Sequence, residues 1–222
     1  MSKNGQGGLD LESDKKHALT LTPVSRETES RLLMFVEALL LWSEHSNLVA
    51  RSTLPVIWTR HIADSLQLLT LAPAALTWAD FGSGGGFPGI PIACALADEP
   101  GAKIHLVESV GKKANFLREV VQKLGLPAVV HHERAEKFAE TCAETVHVVT
   151  ARAVAPLKTL CDQAFPLIAN GTLGIFPKGQ DVDAELTEAA KYWSIQASVV
   201  PSVTSPASSI VMVRSLAKRK NS

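Results

Sequence analysis

The chain has 222 residues, of which 46% are hydrophobic and 20% charged, enough for one or at most two globular domains with an ample core and too apolar for disorder throughout. Lys plus Arg and Asp plus Glu both number 22, which argues against a generic basic polyelectrolyte binder and restricts any nucleic-acid contact to a local patch. The three cysteines, Cys94, Cys142 and Cys161, lack CxxC spacing, so they read as small buried hydrophobes in a reducing compartment, with neither a disulfide framework nor a metal site indicated.

Residues 1–22 contain no apolar signal-peptide core and are expected to form a flexible leader. The greasiest segment, LLMFVEALLLW, is interrupted by Glu37 and too short to span a bilayer, so a cytoplasmic protein without a membrane partner is expected. From Pro23 onward Leu32, Phe35, Val36, Leu39, Leu40 and Trp42 recur at three- and four-residue spacing, the mark of an amphipathic helix. A second helix is predicted from about Pro55 to Pro73, with Ile57, Ile62, Leu66 and Leu69 apolar. These two helices make an N-terminal helical unit over 23–75.

Beyond Pro73 the rhythm becomes strand, turn, helix. Predicted strands are LTWADF, AKIHLVES, AVVHH, HVVTARAV, GTLGIFPKG, SIQASVVPS and SSIVMVRSL, with helices near 90–97, 111–125, 157–164 and 182–191. Alternation of this kind requires a parallel sheet covered on both faces, an α/β domain over 76–216. The last two strands are separated only by VTSPA, too short for a crossover helix, so they should be antiparallel. Residues 217–222 are a short basic tail.

In such a sheet a ligand sits at the carboxyl ends of the strands, faced by the first strand-helix turn. That turn reads DFGSGGGFPGIPIA at 80–93. Gly84, Gly86 and Gly89 satisfy G-x-G-x-x-G, the dinucleotide fingerprint, yet Gly82, Gly84 and Gly86 also alternate behind Asp80 as D-x-G-x-G-x-G. A carboxylate facing the pocket repels a pyrophosphate and suits an ammonium or sulfonium, which favours S-adenosylmethionine over NAD. Glu108 ends the second strand, 26 residues beyond Gly82, where an acid can accept both ribose hydroxyls of either cofactor. Ala135 and Glu136 fall at the next corner of the cleft, as an adenine contact or an ordinary helix start. Arg152 follows the fourth strand, poised to grip an anion or to bridge to Asp80 or Glu108.

The stretches DFGSGGGFPGIPIA, LVESVGKKANFLREV, ARAV and the upstream NLVA and RHIADSL together resemble the RsmG family, also called GidB, over about 32–213. The resemblance implies a Rossmann-like, class I S-adenosylmethionine-dependent methyltransferase with N-terminal helices. It implies transfer of the methyl group to N7 of a guanine in the decoding-region loop of 16S rRNA, with free rRNA or a small-subunit particle as partner. By position, Gly82, Phe87, Ala135, Glu136 and Arg152 would be cofactor contacts, with Glu108 as the ribose-binding acid. The family often has Thr and Pro where this chain has Ser83 and Gly85, and a bulky aliphatic residue at Phe87.

The residues bear on that chemistry directly. No Asn/Asp-Pro-Pro-aromatic tetrad follows the fourth strand, where TARAV stands, and no Pro-Cys nucleophile is present, so neither amine methylation nor cytosine C5 methylation is supported. Guanine N7 carries an in-plane lone pair and needs no base, so no catalytic residue is expected. Candidate RNA contacts are Arg51, Arg60, His61, Lys112, Lys113, Lys178, Lys218 and Lys220, each more often a plain solvated charge, and Arg60 and Asp64 at i, i+4 are spaced to pair. An NAD(P)-dependent oxidoreductase would need a Tyr-Lys or His-Asp hydride site that the cleft lacks. A non-catalytic RNA-binding module is disfavoured by the intact set of Asp80, Gly82, Gly84 and Glu108.

Overall fold

The computed structural model describes residues 6–219, with side chains described from residue 11. Helix α1 (Gln6–Leu21) and helix α2 (Arg26–Ser43) are followed by a 3₁₀ turn (Arg51–Val56), a π-helical segment (Trp58–Ala63) and helix α3 (Asp64–Leu71). Strand β1 (Thr77–Phe81), α4 (Gly89–Ala95), β2 (Lys103–Val107), α5 (Gly111–Leu124), β3 (Ala128–His131), α6 (Ala135–Thr141) and β4 (Val148–Ala151) then alternate. The chain continues through α7 (Leu157–Ile168), β5 (Leu173–Lys178), α8 (Val182–Ala189), β6 (Trp193–Pro201) and β7 (Ser209–Lys218).

The seven strands form one sheet in the order β3-β2-β1-β4-β5-β7-β6. β1 to β5 pair in parallel, whereas β7 is antiparallel to both β5 and β6. β6 and β7 are adjacent and antiparallel because the short 202–208 connection allows only a hairpin, and it is β7 that lies against β5. The strand order reverses between β1 and β4, so the crevice at the carboxyl ends of these two strands is the topological switch point.

The parallel strands bury both faces. Trp78, Ile104, Leu106 and Val148 pack with Phe35, Leu39, Ile57, Ile62 and Phe116 on one side. Ala79, Phe81, Val107 and Val149 pack with Phe138, Leu160, Ala164 and Trp193 on the other. The N-terminal helices therefore share a core with one face of the sheet. Helix α2 begins at Ser25, whose hydroxyl accepts the Thr28 N–H, and α5 ends at Gly125 in the left-handed conformation.

Residues 6–21 correct the expectation of a flexible leader, because they form a helix. Its weak amphipathicity hides a specific anchor: the Asp14 carboxylate accepts the Trp58 N–H at 2.8 Å and the Thr59 N–H at 3.3 Å. Ala18 is buried beside it, and Lys15 bridges to Glu29 of α2. The widened π turn leaves these N–H groups without the usual helical partners, and Asp14 supplies an acceptor. The expected second helix is likewise corrected in detail, being one winding run that changes from 3₁₀ to π to α around Pro55 and Arg60. The basic tail begins later than residue 217, since β7 extends through Lys218, and residues 220–222 lie outside the described residues.

Replacing Asp14 with Ala should destabilise the protein by about 1.5–3 kcal/mol, the range for hydrogen bonds to a charged group. Urea unfolding would read this as a lowered midpoint, and an unchanged midpoint would mean that α1 is not docked through Asp14.

Candidate functional site

β2, β1 and β4 bring their carboxyl ends to one edge, and the glycine turn rises from β1 there. The Gly82 and Ser83 N–H groups both donate to the Val107 carbonyl, at 2.8 and 3.1 Å, which binds the turn to the end of β2. Ser83 Oγ donates back to the Asp80 carbonyl, and the Gly86 and Phe87 N–H groups close on the Ser83 carbonyl. Gly84 has φ +55° and open space where a side chain would stand, the nearest atom to an added Cβ being the Gly82 carbonyl oxygen at 3.6 Å. At Gly86, by contrast, an added Cβ would lie 2.7 Å from Ile90 Cγ1. Gly84 is therefore the glycine of this pair whose bare backbone faces outward, while Gly86 serves internal packing.

Two buried carboxylates flank the turn. Asp80 is fully buried; Oδ2 accepts the Gly89 N–H at 3.0 Å at the start of α4, and Oδ1 has no partner among the described residues. Burial pushes its pKa up to about 7, with the Gly89 bond and the Arg152 charge opposing the rise. Glu108 is 5% exposed and accepts the Gly84 N–H at 2.9 Å on Oε2 and the Val110 N–H at 2.7 Å on Oε1. Each of its oxygens keeps a further lone pair.

Arg152 extends from β4 toward the N-terminal helices. It donates to His61 Nδ1 at 2.6 Å and to the Arg60 carbonyl at 3.1 Å, and it meets Asp64 Oδ2 at 3.4 Å. Its guanidinium lies over the Phe87 ring, 5.2 Å from the centroid. The bridge expected to Asp80 or Glu108 thus forms to Asp64 instead, and Asp64 is claimed by Arg152, Thr204 and Gln67 rather than by Arg60. His61 stacks on Phe87 at 4.8 Å and reaches Thr53 Oγ1 at 2.9 Å. Burial, then the charges of Arg152 and Arg60, push its pKa down to about 3, so the ring is neutral: Nδ1 accepts from Arg152 and Nε2–H donates to Thr53. His61 is therefore a packed positioning group and not a free RNA cation. The Phe87 ring is buried among Phe35, His61 and Arg152 and its N–H is taken by Ser83, which leaves only its carbonyl for a ligand.

The loop after Arg152 folds over the glycines. Ala153 has φ +56°, and an added Cβ on Gly82 would lie 2.7 Å from Val154 Cγ2, so Val154 rests on the turn. Lys178, expected as an RNA contact, is 7% exposed: its Nζ pairs with Glu185 at 2.7 Å and donates to the Ala155 carbonyl at 2.8 Å. Glu185 in turn accepts the Leu157 N–H at 2.6 Å, so the pair clamps this loop from both sides. Ala135 and Glu136 open α6 one strand beyond Glu108, with Glu136 exposed and accepting from Gln163 at 2.9 Å.

Of the remaining basic candidates, Arg51, Lys112 and Lys113 line a cavity of about 460 Å3 against the C-terminal end of α2, where Lys112 donates to the His45 carbonyl. Lys218 lies over the Phe165 ring at the far end of β7, which runs antiparallel to β5 away from this edge, and Lys220 lies outside the described residues. Asp14, Val154 and Glu185 were not legible in the sequence, and Asp64 was only partly so. The spacing in RHIADS located Asp64 but pointed to the wrong partner, and the other three carry no local motif.

An open glycine backbone beside a buried carboxylate with one unpartnered oxygen fits a ligand that presents both main-chain-complementary groups and positive charge. The family described as rRNA small subunit methyltransferase G, GidB, matches residues 28–212. A ribosomal RNA small subunit methyltransferase G from Bradyrhizobium sp. is 54% identical over 210 residues, covering 95% of both chains. One of the same name from Nitrobacter hamburgensis is 57% identical over 184 residues, covering 83% of this chain and 71% of that protein. Among solved structures, the O-methyltransferase TomG from Streptomyces achromogenes in complex with SAM superposes with a TM-score of 0.58 at 12% identity, covering 97% of this chain and all of that one (100%). The O-methyltransferase from Bacillus cereus in complex with SAH does so at 0.57 and 16%, covering 94% and 99%. These structures share the fold.

Asp80 generates a pH signature. Its proton leaves the unfolded chain near the ordinary value of 3.8 and the folded chain near 7. The stability this proton contributes is fully present below about pH 4 and is lost as pH rises toward 7, by at most about 1.4 kcal/mol per pH unit. Asp80→Asn keeps an acceptor for Gly89 and removes that slope. Urea midpoints for the ligand-free protein should converge in acid and favour the variant toward pH 7; parallel curves would show that Asp80 titrates alike in the native and unfolded states.

Proposed function

This chain belongs to the GidB family, described as rRNA small subunit methyltransferase G, and from that premise we propose that it transfers the methyl group of S-adenosylmethionine to N7 of a guanine in the decoding-region loop of 16S rRNA. The observation that carries this reading is the outward-facing Gly84 between two buried carboxylates, Asp80 and Glu108, at the switch point of the sheet. The cofactor, when bound, supplies a methyl carbon made electrophilic by its sulfonium.

Each residue has a part in this reading. Gly82, Gly84 and Gly86 shape the turn on which the cofactor lies, and the remaining lone pairs of Glu108 accept the ribose hydroxyls while its present bonds hold Gly84 and Val110 in place. Asp80 orders the turn through Gly89, and its second oxygen, without a partner among the described residues, would answer the positive charge of a bound cofactor. Ala135 contributes its N–H and Glu136 its carboxylate at the adenine corner. Phe87 acts through its carbonyl and as the platform under Arg152, which fixes the β4 loop beside the reacting end.

Guanine N7 presents its lone pair in the ring plane, so no side chain must remove a proton and no covalent intermediate is needed. The protein's contribution is alignment, for which proximity and orientation supply about 7–11 kcal/mol. Cys94 and Cys161 are buried, and burial pushes both thiols up to about 12, so neither is a thiolate nucleophile at neutral pH. Residues 6–75 serve as the helical unit and 76–218 as the methyltransferase domain. A cytoplasmic enzyme acting on 16S rRNA or on a small-subunit particle completes the reading; among the described residues no helix is long and apolar enough to cross a membrane.

Tritiated-methyl transfer to undermethylated rRNA followed by nucleoside analysis tests this function. The product should be 7-methylguanosine, with the RNA cleavable by borohydride and aniline at one guanosine; methyl on an exocyclic amine or on cytosine C5 would overturn it. Replacement of Cys94, Cys142 and Cys161 together by Ala or Ser should leave most activity. Glu108→Ala should weaken cofactor binding about 10- to 100-fold in calorimetry, the equivalent of one charge-assisted hydrogen bond, and an unchanged dissociation constant in the folded variant would remove Glu108 from the site.

A further inference from the structure

A cavity of about 680 Å3 opens between the π-helical segment, the β4 loop, the end of β5 and the β6-β7 hairpin. It shares Arg152 and Val154 with the glycine turn and is large enough for a nucleotide. Its charged lining is composed of Arg60, Arg152 and Lys178 with Asp64, Asp181 and Glu185. Two pairs cancel, Arg152 with Asp64 and Lys178 with Glu185. Arg60 and Asp181 are left, both exposed and without an ion pair among the described residues.

Each of these two is set up in an unusual way. Asp181 occupies the N-cap position of α8, where an aspartate ordinarily accepts a main-chain N–H, yet its side chain makes no capping bond. Arg60 sits in the π-helical turn pinned by Asp14, and its own carbonyl is held by Arg152. π-helical turns of this kind concentrate at functional sites. The same lining includes the apolar side chains of Val154, Pro156 and Pro177.

We infer that this cavity seats the target nucleotide, with Asp181 accepting the guanine N1–H and N2–H and Arg60 holding a phosphate of the same RNA strand. This deepens the proposed function and rests on it. Guanine is the standard base whose Watson-Crick edge offers two adjacent donors to one carboxylate; adenine puts an acceptor at N1, which the carboxylate repels. A base extruded from an RNA loop exposes that edge, and the prolines and Val154 give its ring an apolar surface. With the Watson-Crick edge held on the β5 side, the N7 edge is left free to face the β4 loop and the glycine turn.

The test is a cycle between protein and base, using the full-length chain and 16S rRNA carrying either guanosine or inosine at the target position. Inosine keeps N7 and N1–H and lacks the N2 amine. The wild type should lose about 10- to 100-fold in kcat/KM on inosine RNA. Asp181→Ala should lose a similar factor on guanosine RNA and show little further loss on inosine. Asp181 is exposed, so the variant should melt with the wild type. Arg60→Gln should weaken binding of both RNAs equally without cofactor and lower the slope of log Kd against log salt by about one.

An Asp181→Ala protein that methylates guanosine RNA at the wild-type rate, or that retains the full inosine penalty, overturns the assignment. If the wild type transfers no methyl to either RNA, the proposed function fails instead. Cofactor-free RNA binding then still decides the pocket, because Asp181→Ala must weaken guanosine RNA selectively for the assignment to stand.

Discussion

Glu108 ties three parts of the molecule together with one carboxylate. Its oxygens accept the N–H of Gly84 in the turn after β1 and of Val110 at the start of α5, while its own N–H donates to His131 at the end of β3. A buried acid at the end of a parallel strand would be costly without donors, and the first turn of α5 together with the glycine turn supplies them. The glycine turn has its outward conformation because of this bond and because the Val107 carbonyl holds Gly82 and Ser83. Removing the carboxylate would release the turn as well as any ligand on it.

The neighbouring acid meets the opposite condition. Asp80 lies under the turn with a single main-chain donor for its two oxygens, and its carboxyl group shifts toward neutrality as a result. Asp80 stands nine residues before α4 and Glu108 three before α5; Glu108 has a main-chain donor on each oxygen, whereas Asp80 has one on Oδ2 alone. The deficit at Asp80 is a feature that a cationic ligand would correct. The contrast arises from where each side chain enters the crevice, Asp80 beneath α4 and Glu108 at its rim.

The N-terminal helices close the same region from the other side. Arg152, which would be isolated at the end of β4, finds the Arg60 carbonyl, the neutral His61 ring and Asp64 there, over the face of Phe87. Asp14 of α1 holds the π turn that presents these groups, so a helix at the start of the chain bears on a residue in the centre of the sheet. The Lys178 and Glu185 pair anchors the remainder of the loop. The helical unit and the sheet are thus coupled at the crevice as well as through their shared core.

Periodicity alone marked α2, α5 and the parallel strands, since 3.6- and 2-residue patterns record which side of an element is buried. The DFGSGGGFPG stretch and Glu108 stood out for the same local reason, a turn that needs positive φ at Gly82, Gly84 and Gly86 and an acid at the next strand end. Local pattern could not disclose that residues 6–21 are ordered, because the decisive contact runs from Asp14 to Trp58 and Thr59 across 44 residues. Nor could it assign Arg152 to Asp64, 88 residues away, in place of the nearer Arg60, or show that the Lys178 side chain is covered while Arg60 is exposed. Those choices depend on which charges the folded chain removes from water, and desolvation is decided by tertiary packing, not by neighbours in sequence.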